Sequence, residues 1–391
     1  MEALRSIDEI RLVRPLRRDP REELFVGTPE TSGDPTAFGL VHLFPLPRDD
    51  RPASHREQLF APLHRYAPLR GEAGLPDLLG MGWKTPSSLF LLLRDPAGIV
   101  LERVLSQAPA WGPQGGRPWM ASLARILALL HSHNLACGRV LPGHLLVDPE
   151  GGAILAEPLT VPILHEIHGG LPFQHPSFQR LHPVPGATPP ELLLDSGPTA
   201  AGDVFQAGVL LHRILTGRPP FGAGSTLEIL NRIRSGRPAH PLSAGEGPLA
   251  DIAAACLAPA PSDRPTASEL HAVLGGDPAG IPPSSGLEVT RYSETFPPLP
   301  PLDDPIAEVP SEEIPPGLST LRDREQALAR ADVMLRQAAA RRRTAPRRSL
   351  LWLLGLLGVL GLVALLLQFP FRGGSEAPSS RRSQERGGPT H

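Results

Sequence analysis

The sequence predicts an α+β domain of two lobes, a small strand-rich one followed by a larger helical one, with a single transmembrane helix near the C-terminus. Three observations carry this. Short apolar runs of strand character fill the first hundred residues, a 3.6-residue periodicity takes over afterwards, and residues 350–369 form an uncharged apolar stretch.

In the first part FGLVHLF (38–44), LPDLLGMGW (75–83) and SLFLLLRD (88–95) read as strands, and HREQLFAPLHRYAPL (55–69) as a helix. Beyond residue 100, PWMASLARILALLHSHN puts Trp119, Leu123, Ile126, Leu127 and Leu130 on one helical face. GDVFQAGVLLHRILTGRPPF is an apolar helix stopped by Gly217 and the prolines behind it. In TASELHAVLGG, Thr266 and Glu269 have capping-box spacing.

Residues 1–275 are therefore expected to be the folded domain. Residues 276–316, with FPPLPPLDDP and EEIPP, read as an acidic, proline-rich linker, and 317–349 as a juxtamembrane helix with a basic cluster. The run LLWLLGLLGVLGLVALLLQF (350–369), about 20 residues at about 1.5 Å each, matches a hydrocarbon core of about 30 Å. Arg341, Arg342, Arg343, Arg347 and Arg348 precede it, whereas the arginines of the tail (370–391) are diluted by Glu376 and Glu385. The positive-inside rule then puts the N-terminal domain in the cytoplasm, on a single-pass membrane protein, with the juxtamembrane arginines also placed to meet anionic lipid.

A formal net charge of −2 carries no clustered basic footprint, which argues against nucleic acid as a partner. Two cysteines, Cys137 and Cys256, exclude a disulfide framework and fit a reducing compartment. MEALRSIDEIRLVRPLRRDP lacks the continuous apolar core of a secretory signal.

Four strings in the domain resemble the eukaryotic-type protein kinase family as found in bacterial Ser/Thr kinases, in order and spacing over residues 24–275. GDVFQAGVLLHRILTGRPPF contains the family's loop-anchoring aspartate as Asp203; CLAPAPSDRPTASEL contains its framework arginine as Arg264; PPEL supplies that arginine's partner as Glu191. The resemblance thus implies a two-lobed kinase-like fold with these three as structural residues. In the fourth string, LHSHNLACGRVLPGHLLVD (130–148), Leu130, His131, Pro142, Leu145, Leu146 and Asp148 fit the family's catalytic loop.

Its chemistry does not fit. The family's H-R-D triplet is here Cys137, Gly138 and Arg139, so a permanent cation with no acceptor stands where a carboxylate orients the attacking hydroxyl. The metal-binding asparagine position is His144, and GGAILAEPLT puts Glu157 at the metal-binding aspartate. GLVHLFPL places His42 at the phosphate-holding lysine, or Val41 if the register slips by one, with Glu57 as the expected helix partner. Lys84, the one lysine of the chain, lies in a turn, and RRDPREE occupies the stretch where the family has its glycine-rich phosphate cover.

No catalytic residue is therefore expected: Arg139, His144, Glu157 and His42 are degenerate positions, with Glu157, His42 and Glu57 the remaining candidates for holding a cofactor. No metal and no cofactor is expected. The reading is a membrane-anchored pseudokinase, a non-catalytic signalling or scaffold protein whose partner is a protein such as an active kinase or its substrate. The alternative left open is an active Ser/Thr kinase with atypical catalytic residues, using Mg-ATP. The histidines of HEIHGG (His165, His168), with His175 and His182, do not have zinc-site spacing and read as solvated loop residues. Cys137 reads as a small packed side chain.

Overall fold

The computed structural model describes residues 7–19, 21–30, 39–46, 57–168, 185–194, 197–242, 247–275 and 286–299. The expected juxtamembrane helix (317–349), the apolar run at 350–369, its flanking arginines and the tail lie outside the described residues. Among the described residues no helix is long and apolar enough to cross a membrane.

The small lobe is an antiparallel sheet in the order β1-β2-β3-β5-β4, made of β1 (Ile10–Asp19), β2 (Glu22–Pro29), β3 (Gly39–Pro45), β4 (Leu78–Thr85) and β5 (Ser88–Arg94). Strand β3 is buried on both faces. Leu40 and Phe44 enter the main core, while Val41 and Leu43 join Ile10, Phe90 and Leu92 in a second apolar layer on the other side. His42 therefore shares the core-facing side with Leu40 and Phe44, so of the two registers open from sequence it is His42, not Val41, that faces inward.

Over the described part of the expected helix 55–69, residues 57–58 are helical, 59–60 form a turn, and α1 (Ala61–Tyr66), with Pro62 in the first turn, runs into a 3-10 turn at Ala67–Leu69. Glu57 lies before α1 and is exposed.

The large lobe begins with β6 (Ala97–Val100), which runs directly into α2 (Leu101–Gln107) and α3 (Gly112–Ser132). All five residues on the predicted face of α3 are buried. Helix α3 packs on α5 (Ala200–Thr216) and α8 (Ala267–Leu274), and α5 packs on α7 (Pro248–Cys256). Helix α5 ends at Gly217 in the left-handed conformation (φ 73°), and Thr266 with Glu269 forms the capping box of α8. Between α3 and α5 lie β7 (Leu145–Val147), β8 (Ala153–Leu155) and α4 (Thr160–His168); α6 (Thr226–Ser235) follows α5. His165 and His168 belong to α4 and are half-buried, not loop residues as expected.

The fold extends past residue 275. Strand β9 (Thr290–Arg291) adds to a second sheet in the order β8-β7-β6-β9, and Tyr292 and Ser293 are buried behind it. Residues 286–299 are thus part of the domain, which corrects the expectation of a plain linker over 276–316. Backbone pairing to β6 and one buried aromatic ring outweigh a composition rich in proline and acid.

Arg264 ties the large lobe together. Its Nη1 and Nη2 donate to the two Glu191 carboxylate oxygens at 2.8 and 2.9 Å, its remaining N–H groups reach the carbonyls of Ala258, Ala201 and Pro259, and its guanidinium lies 5.0 Å from the centre of the Phe205 ring. Glu191→Ala leaves that buried cation without its anion, and urea denaturation of the full chain should show a loss of about 3–5 kcal/mol.

Candidate functional site

The catalytic-loop segment is held by its backbone. Asp203 accepts the Cys137 N–H at 2.7 Å and the Gly138 N–H at 2.6 Å, His131 Nε2 stands 3.0 Å from the same carboxylate, and Gln206 Oε1 accepts the Val140 N–H at 2.8 Å. Gly138 has φ 67°, and a Cβ there would meet Pro198 and Val161 at 2.9 Å, so only glycine fits. Cys137 is a buried, free thiol whose pKa is pushed well above its ordinary value by burial and by Asp203.

This scaffold points Arg139 inward, where it is 4 % exposed and its Nη1 donates to Glu157 Oε2 at 3.1 Å. Glu157, 1 % exposed, follows β8 and is the centre of the site. Arg17, on β1 at the hairpin leading to β2, grips it with Nη1 at 3.2 Å to Oε1 and Nη2 at 2.7 Å to Oε2. Thr160 donates to Oε2 at 3.2 Å, and the Tyr292 hydroxyl donates to Oε1 at 2.8 Å. Burial by itself would raise the pKa of Glu157, but the guanidiniums of Arg17 and Arg139 and the contact with His144 hold it well below the carboxylate range.

The same hairpin supplies an anion. Arg17 Nη2 also donates to Glu22 Oε1 at 2.8 Å, and His42 Nδ1 lies 2.7 Å from that oxygen. Burial opposes the ionisation of Glu22, yet Arg17 and His42 together lower its pKa to about 2. His42 therefore finds its carboxylate on the neighbouring strand. This corrects the expectation that Glu57 would be its partner: Glu57 is helical but exposed, whereas Glu22 of the neighbouring strand β2 reaches the His42 ring.

His144 follows the loop and its Nδ1 lies 2.8 Å from the Tyr292 hydroxyl and 3.5 Å from Glu157 Oε1. Since the hydroxyl proton goes to Glu157, the network assigns a proton to His144 Nδ1. Burial and the Arg139 charge lower the pKa of His144, so the ring is neutral near pH 7. Burial, with Glu157 next, keeps the Tyr292 hydroxyl protonated far above its ordinary range.

Ligand-type atoms of Glu22, His42 and Glu157 lie within 4.8 Å of one another. The arrangement does not fit the magnesium of the kinase reaction. Arg17 bridges both carboxylates, and Glu157 accepts five hydrogen bonds, which fills the roughly four lone-pair sites of its two oxygens. The hairpin that carries Arg17 and Glu22 has side chains in the cleft where a glycine-rich loop offers backbone N–H groups to phosphate.

The site thus joins His42, His144, Arg139 and Glu157 from the predicted residues and leaves out Glu57. Sequence reading missed Arg17, Glu22 and Tyr292. The first two were visible as an unusual charge cluster at the phosphate-cover position, and Tyr292 only as one of two tyrosines in the chain.

Replacing Glu157 by Gln should cost about 3–5 kcal/mol in chemical denaturation, because Arg17 and Arg139 then lose their common anion. The acid response follows from the lowered carboxylates. Because the folded-state value of Glu22 lies below its ordinary 4.5, its stabilisation is complete above that pH and is lost as the pH falls towards about 2. Asp95, raised by burial, acts in the opposite direction. The thermal midpoint should fall across that window, and Glu22→Gln should flatten the fall.

The comparisons with known proteins agree with this architecture. Residues 181–274 match the family model described as protein tyrosine and serine/threonine kinase. The chain is 31% identical over 176 residues to the serine/threonine-protein kinase PkaA of Streptomyces coelicolor, covering 44% of this chain and 31% of that protein. It is 28% identical over 192 residues to the probable serine/threonine-protein kinase PkwA of Thermomonospora curvata (47% and 24%) and 37% identical over 93 residues to the inactive tyrosine-protein kinase 7 of Gallus gallus (23% and 9%). The matched parts span about a third or less of the length of these relatives. With the two-lobed fold, the Asp203 anchor and the Glu191–Arg264 pair in place, the chain is similar over these stretches to protein kinases, bacterial serine/threonine kinases among them.

Proposed function

We propose that this chain is a pseudokinase, a membrane-anchored signalling or scaffold protein that binds a protein partner and transfers no phosphate. One observation carries the reading: the carboxylate at the metal position, Glu157, is saturated by Arg17, Arg139, Tyr292 and Thr160. Phosphoryl transfer in this family needs an acceptor for the proton of the attacking hydroxyl, a magnesium ion on a free carboxylate and donors for the phosphates. Here the first is a guanidinium, the second has no lone pair left, and the third is a hairpin whose side chains face the cleft. Electrostatic stabilisation and general-base assistance are each worth orders of magnitude in rate, so losing both leaves turnover near background.

The name of the Gallus gallus relative, an inactive kinase, favours the same reading. A folded domain without chemistry is retained for what its surface binds, and a protein partner in the same signalling system, an active kinase or its substrate, fits such a domain. The membrane anchor rests on the sequence of 350–369, with Arg341, Arg342, Arg343, Arg347 and Arg348 on the cytoplasmic side.

Two measurements test this. Full-length protein incubated with labelled ATP and magnesium should transfer no phosphate above background to itself or to a generic protein substrate; transfer that Glu157→Ala abolishes would establish the alternative of an active Ser/Thr kinase with displaced groups. Carbonate extraction of cell membranes should leave the full chain in the pellet, and deletion of 350–369 should release it to the supernatant.

A further inference from the structure

Residues 286–299 touch all three parts of the cleft. Strand β9 pairs antiparallel with β6, the strand that links the lobes, through Ala97 opposite Arg291 and Gly98 opposite Thr290. The Tyr292 N–H donates to the Pro96 carbonyl at 2.9 Å, and the Ser293 N–H to Asp95 Oδ1 at 3.2 Å.

From the small lobe, Arg14 of β1 donates to the Ser293 carbonyl at 2.6 Å and to that of Phe296 at 3.4 Å. From the large lobe, His144 and Glu157 meet the Tyr292 hydroxyl, whose ring is 1 % exposed and packs edge-on against Phe296 with centres 5.2 Å apart. A segment that did no more than cover the surface would need none of these cross-lobe bonds.

We propose that residues 286–299 are a built-in strap, an intramolecular peptide ligand of the interlobe cleft that holds the lobes closed around the Arg17–Glu157 bridge, and whose release opens the cleft. The inference deepens the proposed function by naming the cleft as the surface whose access is regulated, and it rests on that reading only in taking the domain to act by binding. Its recognition chemistry is strand addition to β6 combined with one phenol delivered to a buried carboxylate. Tethering gives the segment an effective concentration on the order of millimolar, so a partner displaces it only by binding the same β6 edge more tightly or by capturing the freed segment.

The test is hydrogen–deuterium exchange on the full chain in detergent. The amides of Tyr292 and Ser293 should exchange about a hundredfold or more slowly than in an unstructured peptide. In the double variant Arg14→Ala with Phe296→Ala, which leaves the Glu157 cluster untouched, that protection should fall about tenfold or more while α3 and α5 keep theirs. Tyr292→Phe, which keeps the ring and removes only the hydroxyl, should give a smaller loss at the same two amides. Exchange in the unmodified chain as fast as in a free peptide, or protection unchanged in the double variant, overturns the strap. Phosphate transfer from ATP by the double variant would instead overturn the non-catalytic reading and leave the strap standing, so the two failures are distinct.

Discussion

A carboxylate taken out of water has to be compensated where it sits, and Glu157 imposes that demand on four separate stretches of chain. Arg17 comes from the first hairpin, Arg139 from the loop after α3, Thr160 from α4 and Tyr292 from beyond residue 285. None of these segments buries the charge alone. All four are satisfied together here, so the first hairpin, the loop after α3, α4 and residues 286–299 meet on one anion.

The framework tolerates this inverted site because it was built on the backbone. Asp203 and Gln206 hold the loop by accepting N–H groups from Cys137, Gly138 and Val140, and those bonds do not depend on which side chains the loop carries. An arginine can therefore stand at position 139 without displacing the loop, provided an anion meets it. Glu191 and Arg264 fix the far side of the lobe by a two-pronged pair that makes no contact with the site. The framework of the lobe and the charge cluster of the cleft are thus supported by different residues.

Charge balance in the cleft takes an unusual form as a result. Two guanidiniums and two carboxylates, Arg17, Arg139, Glu22 and Glu157, neutralise one another within the protein, with the neutral His144 and the protonated phenol of Tyr292 completing the hydrogen bonds. A metal ion and a polyphosphate perform the same balancing in a nucleotide-bound kinase. Here the balancing charges are covalently attached groups, which meet at no translational cost of binding.

Periodicity determined the lobes, the buried face of α3, the stop of α5 at Gly217 and the capping box of α8, because each of these depends on spacings of a few residues, whereas the framework residues Asp203, Glu191 and Arg264 were legible only through the resemblance of short strings to a known family. That an arginine, Arg139, stands where the resembled family has an acid was likewise legible from a single position. Strand β1 escaped the reading because it is an edge strand in which arginines alternate with apolar residues and whose register slips twice. Only the tertiary structure decided that Arg17 and Glu22 face the cleft, that Glu57 does not, and that a proline-rich stretch returns to seat Tyr292 on Glu157. Each of those facts is a contact between segments separated by turns or by more than a hundred residues, and no local pattern encodes which buried charge a distant side chain will answer.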